Sequence, residues 1–171
     1  MKQGKLLALK DIILKGCQPP VLIFVNKMNK ANFIMRELLS MNMNAAVIHA
    51  GKSQEYRDKV IRSFREGKIF FLICTELMGR GVDFKAVNLV INYDLPSNTF
   101  DYIHHIGKIV SNKQIFFQIF TFLGRTGRAG RKGMAVTFYT QNDEEKLPSI
   151  VKVMKFSGCD LPAHLLKLNK R

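Results

Sequence analysis

Acidic residues are in short supply in this chain. Thirteen Asp and Glu face twenty-seven Lys and Arg across 171 residues, a formal net charge of +14. The excess is dispersed rather than confined to a tail, which favours a polyanionic partner through release of counterions from phosphates. Charge alone leaves RNA, DNA and an anionic membrane open. Tryptophan is absent, and cysteine is limited to Cys17, Cys74 and Cys159. Three widely separated cysteines without metal-ligand spacing make neither a disulfide framework nor a zinc site, and they read as reduced thiols. No apolar run approaches the roughly 20 residues that span a bilayer. The richest, 115–123, contains Gln118 and Thr121, and Lys10 and Asp11 cut the Leu6, Leu7, Leu9 run before it can serve as a signal-peptide core. These absences predict a soluble intracellular protein with no membrane partner.

What remains is enough for one folded domain, with 47% hydrophobic residues to fill its core. Apolar spacing predicts helices over 5–15, 29–41 and 54–66, closed by Gly16 and Gly67 at the first and third. Continuous β-branched and aromatic runs predict strands over 21–25, 45–48, 69–74, 87–93 and 134–139, of the kind buried on both faces of a parallel sheet. A helix starting near Ser97 or Asn98 is expected to turn Tyr102, Ile103 and the His104, His105 pair inward. A last helix is expected over 143–156, with Asp143, Glu144 and Glu145 in its first turn and Pro148 tolerated only if the helix begins or kinks there. Strand alternating with helix five times argues for a single α/β domain over 1–158, a parallel sheet with helices on both faces, followed by a short basic tail over 159–171.

Several motifs carry chemistry. After the second strand comes His49-Ala50-Gly51-Lys52-Ser53-Gln54-Glu55-Tyr56-Arg57. Gly51-Lys52-Ser53 matches the end of a phosphate-binding P-loop, but the glycine needed five positions earlier is Ala46, inside the strand, so no nucleotide cradle forms here. Gly51 instead lets the backbone approach a ligand, and Ser53 caps the following helix. Thr75 and Arg80-Gly81-Val82-Asp83 lie just beyond the C-terminal end of the third strand, where open α/β sheets bind ligands. Taken singly, Arg57 could pair with Asp58 or Glu55, and Asp83 could cap a helix. Tyr102-Ile103-His104-His105-Ile106-Gly107 breaks off and resumes as Arg125-Thr126-Gly127-Arg128-Ala129-Gly130-Arg131. Glycines there let the chain turn while arginines, planar and always charged, are available to grip two phosphate oxygens at once.

In that order these motifs resemble the second RecA-like domain of DEAD-box RNA helicases. The resemblance implies a RecA-like fold and an ATP-dependent, RNA-stimulated activity. It implies that Gly51, Gln54, Arg57 and Thr75 face the RNA backbone and that Asp83, with Gly81 permitting the turn, meets the ribose of ATP. Arg125 and Arg128 resemble the arginine fingers that stabilise charge on the transferring phosphoryl group, and His104 and Arg80 the groups linking two halves when they close. No Asp-Glu-Ala-Asp tetrad and no complete P-loop are present. Mg²⁺ and the β- and γ-phosphates are therefore expected to be held by a separate N-terminal RecA-like domain, and this chain alone is expected not to hydrolyse ATP. The run from Gly81 to Asp94 is similar to the branch acting in small-ribosomal-subunit assembly, which implies an rRNA precursor as partner and a place in the nucleus and nucleolus.

The sequence departs from the family pattern twice. His105 stands where an arginine is expected, and residues 108–124 split the arginine-finger motif. Two readings of that tract compete. One is an added helix, apolar nearly all round. The other, which the residues at its two ends favour, is an in-frame retained intron or a gene-model error, since Gly107-Lys108 is what a GGT-AAG donor encodes and the Phe-rich end is what a T-rich acceptor encodes. The alternative for the whole chain is a catalytically inert RNA-binding module from a truncated or mis-spliced product.

Overall fold

Runs such as Val21-Leu22-Ile23-Phe24-Val25 have no polar face to offer water, so they are stable only between two layers. The computed structural model describes residues 2–76, 87–106, 116–121, 134–156, 161 and 165. Within these, α1 (Lys2–Leu14), β1 (Val21–Val25), α2 (Met28–Ser40), β2 (Ala45–Ile48), α3 (Gln54–Arg65) and β3 (Phe71–Thr75) lead to β4 (Leu89–Asn92). There follow α4 (Thr99–Ile106), β5 (Phe116–Thr121), β6 (Met134–Tyr139), a 3₁₀ turn (Gln141–Asp143) and α5 (Leu147–Phe156). The six strands form one sheet in the order β2-β3-β1-β4-β6-β5, and every pairing is parallel.

The period of two along each strand divides the core. Val21, Ile23, Val25, Ile73, Ile91 and Val136 point to one face, where Leu9 and Ile13 of α1 and Ala31, Ile34 and Leu38 of α2 cover them. Leu22, Phe24, Leu72, Val90 and Ala135 point to the other, under Val60 and Phe64 of α3, Tyr102 and Ile106 of α4, and Ile150, Val151 and Met154 of α5. Truncating a fully buried member such as Phe24 to alanine costs on the order of 3–5 kcal/mol by cavity formation.

The first three helices each hand over to the next strand through a left-handed residue: Gly16, Asn42 and Gly67, with φ of 90°, 58° and 72°. Ser53 caps α3 as its sequence position predicts, its hydroxyl accepting the Tyr56 N–H at 3.3 Å.

Three expectations are corrected. Ile103 is 49% exposed rather than inward, while Tyr102 and His105 take the inward positions on α4. Asp143 does not open the last helix. Its carboxylate accepts the backbone N–H and hydroxyl of Thr140, at 2.8 and 2.9 Å, in a capping box around the 3₁₀ turn. The helix starts afterwards at Leu147, which places Pro148 in the first turn, where a missing N–H breaks no bond. Finally, residues 116–121 form no helix. They make an edge strand pairing with the whole of β6, Phe116 opposite Met134 through Thr121 opposite Tyr139. Alternating Phe, Gln and Thr with β-branched Ile suits a pleated strand at least as well as a helix.

Candidate functional site

Because all strands run the same way, their C-terminal ends share one rim. Ile48 of β2 is opposite Cys74 of β3, and Val25 of β1 is opposite Thr75. The loop carrying His49 and Gly51 therefore leaves the sheet beside Thr75, and α3 rises from that loop with Gln54 and Arg57 in its first turns. Thr75 and His49 are buried at this rim, whereas Gly51 and Gln54 are exposed. Gln54 links its neighbours: its amide nitrogen donates to Asp58 at 2.7 Å, and its carbonyl oxygen accepts from the Arg57 guanidinium. This holds Arg57 along the helix. Lys52 lies 5.2 Å from the Tyr56 ring, within cation–π range, at the positive end of the same helix.

Gly51 is where close approach is required. A Cβ added there would come within 3.1 Å of Nδ1 of His49 and 3.5 Å of the Met28 sulfur. The space a side chain would need is filled by the imidazole ring, whose Nδ1 accepts the Gly51 N–H at 3.1 Å.

Further along the rim, polar groups join adjacent strand ends. Asp94, mostly buried after β4, accepts the Asn26 backbone N–H at 2.9 Å and the Lys30 ammonium at 2.6 Å. The Asn26 side chain donates to the Leu95 carbonyl at 3.2 Å. Glu76, just past β3, accepts both the backbone N–H and the hydroxyl of Ser97, each at 2.9 Å, and so ties the β3 exit to the approach of α4. Lys5 of α1 donates to the Tyr93 carbonyl at 3.2 Å, and burial pulls its pKa below the ordinary lysine value. Burial likewise pushes the Tyr93 phenol up to about 12, with Asp94 adding to the effect, so it stays protonated at every physiological pH.

His104, on α4, is half-buried and stacks with Phe100 at 6.2 Å between ring centroids. Its neighbour His105 has a different setting. The ring is 2% exposed, lies flat on Phe24 at 3.5 Å, and shares a 2.7 Å hydrogen bond between Nδ1 and Oδ1 of Asn92. Asn92 in turn donates to the Thr137 hydroxyl at 3.0 Å. A guanidinium in that slot would have to be desolvated without a carboxylate among these partners. The sequence departure at His105 is thus matched by a buried hydrogen-bonded chain, His105 to Asn92 to Thr137, across α4, β4 and β6.

Arg80, Gly81, Asp83, Arg125 and Arg128 lie outside the described residues, as does Cys159. Gly51, Gln54, Arg57 and Thr75 are brought to one rim, and His104 lies on the helix that follows β4. Sequence reasoning passed over Asn26 and Lys30, and it met Asp94 only as part of the run that ends the fourth strand. Among the described residues no group of three His, Cys, Asp or Glu side chains could hold a metal ion, and no helix is long and apolar enough to cross a membrane.

The family model described as the helicase conserved C-terminal domain matches residues 4–113, well over half of the chain. The chain belongs to that family. The Bos taurus protein named probable ATP-dependent RNA helicase DDX52 is 45% identical over 167 residues, which are 98% of this chain and 25% of that protein. ATP-dependent RNA helicase ROK1 of Eremothecium gossypii is 42% identical over 174 residues, 99% of this chain and 28% of that protein. The chain spans about a quarter of the length of these relatives. The solved C-terminal domain of the DEAD-box protein Dbp5 superposes with a TM-score of 0.70 at 28% identity, covering 91% of this chain and 79% of that one. The helicase C-terminal fold is thus a RecA-like parallel sheet with helices on both faces. Its five predicted strands are all present, and the sixth comes from the tract that splits the arginine motif.

Proposed function

We propose that this chain is one half of an ATP-dependent RNA helicase, and that its C-terminal rim binds the sugar-phosphate backbone of single-stranded RNA. The observation that carries the reading is the convergence of Gly51, Gln54, Arg57 and Thr75 on one rim of a chain with net charge +14. Relatives named as RNA helicases support RNA over DNA. On this reading Gly51 admits a phosphate close to backbone, Arg57 supplies a bidentate cation, and Thr75 donates a hydroxyl.

The same reading gives Asp83 and Gly81 to the ATP ribose, Arg125 and Arg128 to the transferring phosphoryl group, and His104 and Arg80 to the junction with an N-terminal RecA-like domain. That domain would hold Mg²⁺, since this sequence has no Asp-Glu-Ala-Asp tetrad and the rim carboxylates Asp94, Glu76 and Asp143 are already engaged with backbone, hydroxyl or lysine groups. ATP brings the phosphoryl chemistry, and this chain brings fixed positive charge. Phosphate release measured on the isolated chain is expected to stay at background with or without RNA. Joined to the N-terminal domain, it is expected to show RNA-stimulated release that Arg128→Ala lowers by about 10³. Turnover by the isolated chain, or no turnover by the joined protein, counts against the reading.

Similarity of the 81–94 run to the ribosome-assembly branch supports an rRNA precursor as the RNA and the nucleolus as the place of work. Depleting the protein is then expected to accumulate small-subunit rRNA precursors, and an unchanged precursor profile sinks this part. A second reading, an inert RNA-binding module, draws support from residues 108–124, which separate Gly107 from Arg125. A displacement of about 1 Å in such a group can already cost on the order of a hundredfold in rate. Assaying the joined protein with and without 108–124 separates the two readings, and sequencing the mature transcript tells an insertion from a retained intron.

A further inference from the structure

His49 is wired on both sides, and its role is tied to the reading of Gly51 and Arg57 as RNA contacts. The ring is 5% exposed although it sits at the mouth of the sheet. Nδ1 accepts the Gly51 N–H at 3.1 Å, and Nε2 lies 3.2 Å from Oδ1 of Asn32 on α2. A ring nitrogen that accepts an N–H carries no proton, so the neutral imidazole holds its hydrogen on Nε2 and donates it to Asn32. The arrangement suits one tautomer and one charge state. Protonated, the ring would point an N–H at the N–H of Gly51, donor against donor, at a place where even a Cβ on residue 51 would lie only 3.1 Å from Nδ1.

We infer that His49 is a positioning residue for the RNA-contacting loop, fastening the Gly51 backbone to α2 while neutral and releasing it when protonated, so that acidification weakens RNA binding. Burial first, and the Lys52 ammonium second, hold the ring's pKa below the ordinary 6.5. Lys52, on the ring's own loop, is the only charged group among the described residues whose field moves it, and α2 contributes the uncharged Asn32 and Met28. The loop is therefore fastened through the neutral range and loosens on the acid side. The sign is diagnostic. A proton added to a basic surface strengthens its grip on a polyanion, whereas a lost loop position weakens it.

The test is fluorescence anisotropy of the full chain with a labelled single-stranded RNA oligonucleotide, at constant ionic strength, between about pH 5 and 8. His49→Asn keeps an acceptor oxygen within reach of the Gly51 N–H at any pH, whereas His49→Gln reaches toward Asn32 and leaves that N–H unserved. The parent is expected to lose about tenfold in affinity on acidification, the scale of one lost hydrogen bond. His49→Asn should keep the neutral-pH affinity with a flat profile, and His49→Gln should start about tenfold weaker and also stay flat. Affinity that is constant or rises as the parent is acidified overturns the inference, as does a His49→Asn variant no better than His49→Gln. Should either variant fail to fold, ¹⁵N spectra of the parent ring decide: a neutral ring protonated on Nδ1 overturns it, and one protonated on Nε2 supports it. If Arg57→Ala leaves neutral-pH affinity unchanged, the RNA reading fails as well. Affinity that depends on Arg57 but ignores His49 protonation defeats only the inference.

Discussion

Asp94 ties three parts of the rim together, since one carboxylate after β4 receives a backbone N–H from beyond β1 and an ammonium from α2. Replacing it with alanine leaves both donors without that acceptor, and Asp94→Ala is expected to cost about 1–3 kcal/mol, read as a lower urea midpoint at unchanged slope. A midpoint within error of the parent would mean that water serves those donors equally well. Lys30 and Asn26 were invisible in the sequence because their value depends on which strand lies beside β1, and no local pattern states that. His105 was legible only as a deviation. Its partner Asn92 and the Thr137 hydroxyl that Asn92 serves come from β4 and β6, and they become neighbours only when those strands pair. Gly51 and Ser53 were legible because each acts within a few residues of itself. His49 also obeys a sign rule for stability. Its folded-state pKa is depressed, so the unfolded chain takes up the proton first, and stability present above about pH 6.5 is lost as pH falls through the lowered value.

At the level of elements, α3 joins the buried core to the candidate RNA surface. Val60 and Phe64 pack inward, while Gln54 is exposed and Arg57, hydrogen-bonded to it, is half-buried. Ser53→Ala removes the cap and is expected to lower stability by about 1 kcal/mol. The same change should fray the turn that holds Arg57, so RNA affinity is expected to fall by a larger factor than the melting shift alone implies. Equal, small changes in both would show that the first turn does not depend on its cap. Strands were legible wherever the chain is apolar on both faces, as at 21–25 and 134–139, since only a central parallel strand tolerates that. Residues 116–121 are the instructive miss. A short apolar run satisfies a helix and a strand equally, and what decides is a six-residue partner edge on β6, supplied by tertiary structure. Ile103 was misplaced for a related reason, because the inward stripe of α4 is set by Tyr102, His105 and Ile106, and Ile103 falls on the opposite side of it.

For the molecule as a whole, net charge of +14 is a statement about salt. RNA affinity is expected to fall linearly with the logarithm of salt concentration, and Arg57→Ala should flatten the slope by about 0.7, the value for one phosphate contact on a single strand. An unchanged slope would place Arg57 away from phosphate. The fold class was legible in full because alternation of strand and helix is a property of the chain alone. The proposed catalytic half of the site was legible only as motif, since Asp83, Arg125 and Arg128 would, on that proposal, act on groups that a second domain has to supply.

A sheet in which all strands point one way also has a back. Gly16, Asn42 and Gly67 turn the chain there, each just before a strand begins, and Lys68 stands there with its side chain 72% exposed. A dye or a surface tether placed at that turn lies a full strand length from the candidate RNA rim. An immobilised molecule would then present its working side outward, ready for single-molecule observation.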